Sequence, residues 1–364
     1  MLLAGIFPPI TTPFYPDGGV YYKKLEQNVE HYSKTPVAGI VVLGSTGEAI
    51  MLSDEERRQV LKIARQACAP NKVLIAGTAG ESAAETLRLT VFAAELGYDV
   101  ALVRTPFYYR RQMLPPNILT FYRTVADQSP LPVMIYSVPV FTAYDMPAEL
   151  VIELAEHPNI IGIKESGGDV GKVRRMAEGT KHVRRTAAVT ETFAALTPRM
   201  LEASQVVPAE TNGELVPLAA LAGKSASEHR DSAARLRAPG SGEVKIKTRR
   251  KEVGFQISVG AAQQLDPSLA AGAVGAILAF ACPAPTACYE VYAAWKERDS
   301  ELARIKQDRI AAAATRVSGE LGIPALKYAM DLNGYYGGPS RLPLLPLTAD
   351  QKNEVEQLMR DIRN

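Results

Sequence analysis

A lysine stands at the end of a short apolar segment, within the sequence NIIGIKESGGDV at residues 159–170. Ile160, Ile161 and Ile163 are typical of a buried strand, and Lys164 follows them directly. An amine attacks a carbonyl only in its neutral form, and an apolar pocket disfavours the ammonium form. Lysines in such surroundings form Schiff bases with ketones. The alternative is a structural lysine whose stem packs while its head reaches water or a carboxylate.

A tyrosine and a glycine-rich turn follow two further apolar segments. Tyr136 comes directly after Val133–Ile135, and near an imine its hydroxyl could act as a general acid/base. The alternative is a buried tyrosine whose hydroxyl is simply hydrogen-bonded. Ser45 and Thr46 lie in a Gly-Ser-Thr-Gly turn, whose hydroxyls and backbone N–H groups suit a substrate carboxylate. An ordinary strand-to-helix turn is the alternative there, and the phosphate-loop spacing GxxxxGK[ST] is absent.

Eight short apolar segments alternate with amphipathic ones, and this pattern predicts a parallel sheet with crossover helices. Capping boxes that begin at Ser53 and Ser82 mark two helix starts. Eight strands close a (β/α)8 barrel, the α/β fold that we predict, and catalytic side chains then lie at the carboxyl ends of the strands. A doubly wound sheet is the alternative, but no GxGxxG follows the first segment. The segments are Gly5–Thr11, Gly39–Leu43, Val73–Ala76, Val100–Val103, Val133–Tyr136, Ile160–Ile163, Phe255–Val259 and Val274–Leu278.

Two regions depart from the alternating pattern. We expect residues 1–180 and 251–298 to form the barrel and residues 181–250 to be an insertion between the sixth helix and the seventh strand. Such a connection lies on the face opposite the active site of a barrel, and the basic run KIKTRRK at 245–251 is interpreted as a solvated linker end. Residues 299–364 are interpreted as a C-terminal helical extension. Its helices are expected at about 300–318, 322–333 and 348–362.

Bulk composition excludes several classes of function. The 41 basic and 39 acidic residues nearly balance, so there is no electrostatic case for binding nucleic acid or a membrane surface. Three cysteines without a CxxC pair fit a reducing compartment and predict no zinc site. The sequence shows no signal peptide pattern, and no apolar run approaches the roughly 18 residues that a membrane span needs. We therefore expect a cytoplasmic protein.

Taken together, these features resemble the N-acetylneuraminate lyase / dihydrodipicolinate synthase superfamily of pyruvate-type class I aldolases. The resemblance covers almost the whole chain except about 181–250. It implies a TIM barrel that forms a homo-oligomer, a dimer or more typically a homotetramer, and that needs no metal or diffusible cofactor. The motifs that carry the resemblance are GIFPPITTPF, GSTGE, TPFYY, YSVP, GIKES and GYYGGPSRLPL.

The resemblance implies a role for each residue that matches a motif. Lys164 would be the Schiff-base lysine and Tyr136 the proton shuttle. Ser45 and Thr46 would hold the carboxylate next to the ketone and relay protons. Tyr108 would complete the relay, typically by reaching in from a neighbouring subunit.

Within the superfamily, the finer match is to the 4-hydroxy-2-oxoglutarate aldolase branch. Ser166, two residues after the lysine, belongs to the pattern of that branch, and the backbone of Ile277 would line the pocket. Dihydrodipicolinate synthase carries an arginine two residues after the proline of its YSVP-like bend, which clamps the carboxylate of the incoming aldehyde. Here that position is Phe141. Loss of a bidentate clamp should cost several kcal/mol in binding aspartate semialdehyde, although Phe141 also departs from the aldolase branch and leaves open an acceptor less polar than glyoxylate.

The sequence therefore predicts a carbon–carbon lyase that cleaves 4-hydroxy-2-oxoglutarate to pyruvate and glyoxylate through an imine. Dihydrodipicolinate synthesis is an alternative of lower rank, and so is a lyase or dehydratase that acts on a sugar acid by the same imine chemistry. A barrel that binds a 2-oxo acid without catalysis is the alternative from another class.

Overall fold

The computed structural model describes residues 3–190 and 248–362, in which eight parallel strands form a barrel. The barrel strands are Gly5–Phe7 (β1), Gly39–Val42 (β2), Val73–Gly77 (β3), Val100–Arg104 (β4), Val133–Ser137 (β5), Ile160–Glu165 (β6), Gln256–Val259 (β9) and Gly275–Ile277 (β10). Strands Arg185–Thr190 (β7) and Thr248–Val253 (β8) form a separate pair.

The barrel strands pair in the order β1-β10-β9-β6-β5-β4-β3-β2. The two ends of this order meet where Ala38 N donates to Ile6 O at 2.8 Å and Ile10 N donates to Val41 O at 2.9 Å. The sheet therefore nearly closes on itself. This confirms the predicted (β/α)8 barrel and excludes the doubly wound alternative.

Alternate residues of the strands fill the inside of the barrel, and the residues between them pack outward against the helices. The inner cluster is made of buried side chains that are all apolar except for the hydroxyl of Tyr136, and it is separate from the larger outer cluster. A filled interior leaves the carboxyl ends of the strands as the place where side chains can meet a ligand. The inner cluster consists of Leu3, Phe7, Val41, Val73, Ile75, Val100, Leu102, Met134, Tyr136, Val138 and Ile277.

Helices cover the barrel and extend beyond it. Those that alternate with the strands are Tyr22–Ser33 (α1), Asp54–Ala67 (α2), Ala83–Glu95 (α3), Pro115–Gln128 (α4), Pro139–Thr142 (α5), Ala148–Ala155 (α6), Val170–Gly179 (α7), Leu265–Ala270 (α8) and Pro285–Lys296 (α9). The C-terminal extension consists of Ser300–Ala313 (α10), Ile323–Leu332 (α11) and Ala349–Met359 (α12). A π-helical turn at Ala314–Glu320 follows α10 directly. Within residues 3–190 and 248–362, no helix is long and apolar enough to cross a bilayer.

The two predicted capping boxes have different outcomes. At the start of α2, the Ser53 side chain accepts from Glu56 N while the Glu56 carboxylate accepts from Ser53 N, so this box is confirmed. At the start of α3, Ser82 accepts from Glu85 N, but the prediction of a reciprocal box is wrong. The Glu85 carboxylate lies 3.4 Å from Arg57 Nη1 instead, because an ion pair with a neighbouring helix competes for the same oxygens.

Residues 185–190 and 248–253 form an antiparallel pair of strands, β7 and β8, with six residues of each strand in register. The interpretation of the basic run at 245–251 as a linker end is wrong for residues 248–251, because these residues belong to β8. The Arg185 guanidinium donates to the carbonyls of Ala155, His157 and Ile160. These carbonyls lie at the amino end of β6, so the strand pair leaves the barrel at the face opposite the carboxyl ends. Residues 191–247 of the predicted insertion lie outside the described residues.

Candidate active site

Lys164 extends from the interior face of β6, near its carboxyl end. Its register partners are Tyr136 on β5 and Ser258 on β9, so the three side chains leave their strands at one level. Lys164 is 4% exposed, and its Nζ lies 4.1 Å from the centre of the Tyr136 ring. Within the described residues, the amine makes no hydrogen bond and no ion pair. The Lys164 amine is therefore buried against the face of the Tyr136 ring.

The hydroxyl of Tyr136 lies 3.3 Å from Ser45 Oγ. Ser45 begins a single 3-10 turn, Ser45–Gly47, directly beyond the end of β2. Thr46 is buried in the same turn, and the structure brings Ser45 rather than Thr46 into hydrogen-bond contact with the tyrosine. A relay between β5 and the glycine-rich turn would therefore pass through Ser45. The proton-relay role that the resemblance implies for Thr46 stays a prediction.

A buried ion pair between Glu48 and Lys327, which the sequence did not reveal, fixes the glycine-rich turn. Glu48 closes the turn with φ at 54°, in the left-handed region that non-glycine residues adopt rarely. Its carboxylate lies 2.6 Å from Lys327 Nζ on α11, and both side chains are 0% exposed. The backbone of Arg341 donates to the other carboxylate oxygen at 2.8 Å, and Thr12 donates to Gly47 O at 2.7 Å. The C-terminal extension thereby fixes the turn that carries Ser45.

Two further predicted site residues, Ser166 and Ile277, lie at the carboxyl ends of the strands. Ile277 ends β10 and is buried in the inner cluster with Tyr136. Ser166 follows β6, and its backbone N donates to Ser137 O at 3.0 Å. A Cβ at position 260 would lie 2.0 Å from Ser166 Oγ, so this serine can pack here only because residue 260 is glycine.

A cavity of about 410 Å³ opens over the ends of β2, β3, β4 and β5. Ser45 and Tyr136 line it, together with Phe141 and Arg104. Phe141 is 61% exposed and lies on the short helix α5, which Pro139 begins. The structure thus brings Phe141, Ser45 and Tyr136 to one cavity.

Tyr108 does not reach its own active site. It is 73% exposed, and its ring stands perpendicular to that of Tyr109 with centroids 5.2 Å apart. Its backbone N and that of Phe107 donate to Glu81 Oε2 at 3.0 and 2.9 Å, which fixes the loop. Tyr108 is not among the residues that line the cavity, so its role in the relay stays a prediction.

A buried thiol adjoins the lysine. Cys282 Sγ donates to Pro9 O at 3.2 Å. Burial raises the pKa of the Cys282 thiol, and the neighbouring Lys164 only partly opposes this effect. The thiol stays protonated at neutral pH, so it does not compete with the lysine as a nucleophile.

Sequence reasoning missed Ser258, Arg104 and the Lys327–Glu48 pair. Ser258 is fully buried beside Lys164, and its hydroxyl has no hydrogen-bond partner in the described part of the chain. A signal existed for two of these residues, because serine and arginine are unexpected at or near the ends of otherwise apolar strands. No local signal could have paired Lys327 with Glu48, which is 279 positions away in the sequence.

The family model described as "Dihydrodipicolinate synthetase family" matches residues 2–202 and 238–362, most of the chain. The chain belongs to this family. The match extends into both ends of the predicted insertion at 181–250 and leaves out residues 203–237.

Two curated relatives of this dihydrodipicolinate synthetase family member are both named 4-hydroxy-tetrahydrodipicolinate synthase. One from Stenotrophomonas maltophilia is 42% identical over 176 residues, 48% of this chain and 59% of the relative. One from Methanosarcina barkeri is 37% identical over 179 residues, 49% of this chain and 60% of the relative. The chain thus matches about 60% of the length of these relatives.

Solved structures are similar over nearly the whole chain. A chloride-inhibited dihydrodipicolinate synthase from Acinetobacter baumannii, complexed with pyruvate, is 26% identical with a TM-score of 0.75, and the alignment covers 99% of both chains. A dihydrodipicolinate synthase from Bacillus anthracis has the same TM-score at 21% identity, with 100% of both chains covered. At that identity the second likeness concerns the fold alone.

Proposed function

We propose that the protein is a class I aldolase that forms a Schiff base between Lys164 and a 2-oxo acid. The observation that carries the proposal is the buried, unpaired amine of Lys164 beside the Tyr136–Ser45 hydroxyl pair. Imine formation requires an amine that is free to attack a carbonyl carbon, and no hydrogen bond or ion pair within the described residues engages this one. The pyruvate complex of the Acinetobacter baumannii relative supports a 2-oxo acid as the ligand.

The geometry supports a short sequence of steps. Neutral Lys164 attacks C2 of the 2-oxo acid, and loss of water gives an imine. The protonated imine accepts the electron pair of the C3–C4 bond as that bond breaks, while Tyr136 removes the proton of the C4 hydroxyl. The aldehyde leaves, the enamine carbon takes up a proton, and water hydrolyses the imine to release pyruvate and the free amine. Ser45, in contact with the tyrosine, would pass the proton onward.

The proposed substrate is 4-hydroxy-2-oxoglutarate, which gives pyruvate and glyoxylate. The sequence motifs around Lys164 and Ser166 support this choice, and so does the absence of an arginine at position 141. The second candidate is 4-hydroxy-tetrahydrodipicolinate synthesis from pyruvate and aspartate semialdehyde, and the names of the curated relatives favour it. A sugar-acid lyase would use the same lysine and tyrosine.

A second copy of the chain is part of the proposal. Tyr108 is exposed on a loop fixed by Glu81 and cannot complete a relay within its own chain. Exposed apolar side chains line the cavity, among them Ile50 and Phe141, and Val140 next to Phe141 is also exposed. A surface of this kind suits a protein interface, and we infer a dimer or tetramer in which Tyr108 reaches the Tyr136 of its neighbour.

Two assays on the same preparation test the proposal. The first follows glyoxylate release from 4-hydroxy-2-oxoglutarate, and the second follows condensation of pyruvate with aspartate semialdehyde. We expect the first reaction to be faster by kcat/KM. Faster condensation would replace the aldolase assignment with the synthase, and no turnover in either assay, or with sugar acids, would leave a barrel that only binds a 2-oxo acid.

A further inference from the structure

Arg104 brings a positive charge into the cavity from a strand next to the proposed proton shuttle. It is the last residue of β4, and its register partner on β5 is Tyr136. Register partners on parallel strands point to the same side of the sheet, so both side chains leave toward the barrel axis. Both also line the cavity, together with Ser45 and Phe141.

The guanidinium of Arg104 is held in place by hydrogen bonds, but some of its N–H donors have no partner within the described residues. Its Nη1 donates to Glu81 Oε1 and to Thr105 O, both at 2.9 Å, and its centre lies 4.6 Å from the Phe107 ring. An arginine has five N–H donors in a planar fork. Within the described residues, the hydrogen bonds of this guanidinium use Nη1, so the Nε and Nη2 groups remain for a ligand.

The other charged side chains that line the cavity already have partners. Glu48 is paired with buried Lys327. Arg57 lies on α2, donates to Ala49 O at 3.1 Å and contacts Glu85 at 3.4 Å. The charge of Glu81 is shared between Arg104 and the backbone N–H groups of the loop at 107–108. Arg104 is therefore the arginine that the cavity offers beside Tyr136.

We propose that Arg104 determines acceptor specificity by binding the carboxylate of the aldehyde that is released from, or added to, the pyruvyl carbon. The proposal rests on the proposed aldolase function. Arginine recognises carboxylates through paired N–H donors, and the reacting C4 hydroxyl must lie at Tyr136, one strand away. Phe141 then serves as an apolar wall. The proposed substrate class is a short aldehyde that carries a carboxylate, such as glyoxylate, rather than a neutral aldehyde.

Phe141 alone leaves open an acceptor less polar than glyoxylate, because a phenylalanine offers no charge to a carboxylate. The presence of Arg104 favours an acceptor that carries a carboxylate. The register of β4 and β5 supplies the cation from a different strand. Recognition of the carboxylate would therefore depend on Arg104, while the pyruvyl carboxylate is bound separately at the Ser45–Thr46 turn.

The test compares two acceptors of similar size, glyoxylate and the neutral glycolaldehyde, each in condensation with pyruvate. In the Arg104→Leu variant, we expect the ratio of kcat/KM for glyoxylate to that for glycolaldehyde to fall by roughly 10- to 100-fold, as expected for a lost charge-assisted hydrogen bond. The Arg104→Lys variant keeps the charge and should recover part of the ratio. Arg123→Leu is the matched control, because Arg123 pairs with Glu153 on the surface at 2.7 Å.

Two outcomes would overturn the inference. One is an unchanged ratio in a folded Arg104→Leu variant, and the other is an equal fall of both kcat/KM values, which a structural role would produce. Failure of the proposed function is seen separately, since it appears as a wild-type protein that gives no reduced adduct with pyruvate and borohydride.

Discussion

Among the buried lysines of the described residues, Lys164 and Lys327 have opposite surroundings. Lys164 lies on the barrel strand β6, 4.1 Å from the centre of the Tyr136 ring, and makes no hydrogen bond or ion pair within the described residues. Lys327 lies on α11, 4.4 Å from the centre of the Phe14 ring. It is paired with Glu48 at 2.6 Å and donates to two backbone carbonyls at 2.8 and 2.9 Å.

The two lysines differ in their partners and not in their burial, and we infer from this difference which one is reactive. A buried ammonium is tolerable when a carboxylate and carbonyls surround it, as they surround Lys327. Burial lowers the pKa of Lys327, and Glu48 opposes that effect. Lys164 makes no such contacts within the described residues, and this difference in partners supports its proposed role as the nucleophile. The two lysines also cooperate, because Lys327 fixes the turn that carries Ser45.

The largest effect should come from Lys164→Met, which removes the nucleophile. We expect turnover to fall by at least about 10⁴-fold, as is usual when a covalent nucleophile is lost. The free energy of unfolding should stay the same or rise, because an unpaired buried amine is replaced by an apolar side chain. Steady-state kinetics measures the loss of turnover, and urea denaturation measures the free energy of unfolding. A loss of stability as large as that expected for a paired buried lysine would contradict the contrast between Lys164 and Lys327.

The converse pattern is expected for Lys327→Met. Removing one partner of a fully buried ion pair leaves Glu48 uncompensated and should lower the free energy of unfolding by about 3–5 kcal/mol. The double variant Lys327→Met/Glu48→Met removes both charges and should recover a good part of that loss in the same urea titration. A single variant as stable as the wild type would contradict the structural role.

A smaller effect is expected for Tyr136→Phe, which removes the hydroxyl next to Lys164 and keeps the ring. Turnover should fall by about 10²-fold, the lower end for loss of a general acid/base. The adduct with pyruvate should still form under borohydride, because the amine remains. Ser45→Ala should act in the same direction, and wild-type turnover by Tyr136→Phe would remove the tyrosine from the mechanism.

The smallest expected effect is the pH dependence of the free energy of unfolding that comes from the ion pair of Glu56 with Arg341. The backbone of Arg341 also donates to Glu48, the partner of Lys327. Hydrogen bonds from Arg341 lower the pKa of Glu56 to about 2. The pair therefore stabilises the fold above pH 4.5 and loses its contribution as the pH falls from there towards 2. Glu56→Gln should cost about 1 kcal/mol at pH 7 and progressively less in acid, measured by urea denaturation. A Glu56→Gln deficit that stays constant from neutral to acidic pH would refute this account.

The regular part of the fold was predictable from the sequence. All eight barrel strands were found, because apolar segments and helix caps are local signals. The strand pair β7–β8 was missed, since Arg185–Thr190 and Thr248–Val253 lack an alternating apolar pattern and are joined through more than fifty intervening residues. The second capping box failed because Glu85 pairs with Arg57 from another helix, a contact that no local rule anticipates.

The candidate site was predictable where it depended on strand ends, and unpredictable where it depended on register. Lys164, Tyr136 and Ser45 were named from their motifs, and the structure brings them close together. The position of Arg104 beside Tyr136 follows from pairing between β4 and β5, and that of Ser258 beside Lys164 from pairing between β6 and β9. Strand register is a tertiary property, so a single sequence does not supply it.

The most direct test of the contrast between the two lysines is reductive trapping. The protein is incubated with pyruvate and borohydride, and intact mass and peptide mapping then locate the product. The account predicts one carboxyethyl group per chain, on Lys164, with Lys327 unmodified and no adduct in Lys164→Met. Absence of the adduct in the wild type, or an adduct that survives Lys164→Met, would contradict it.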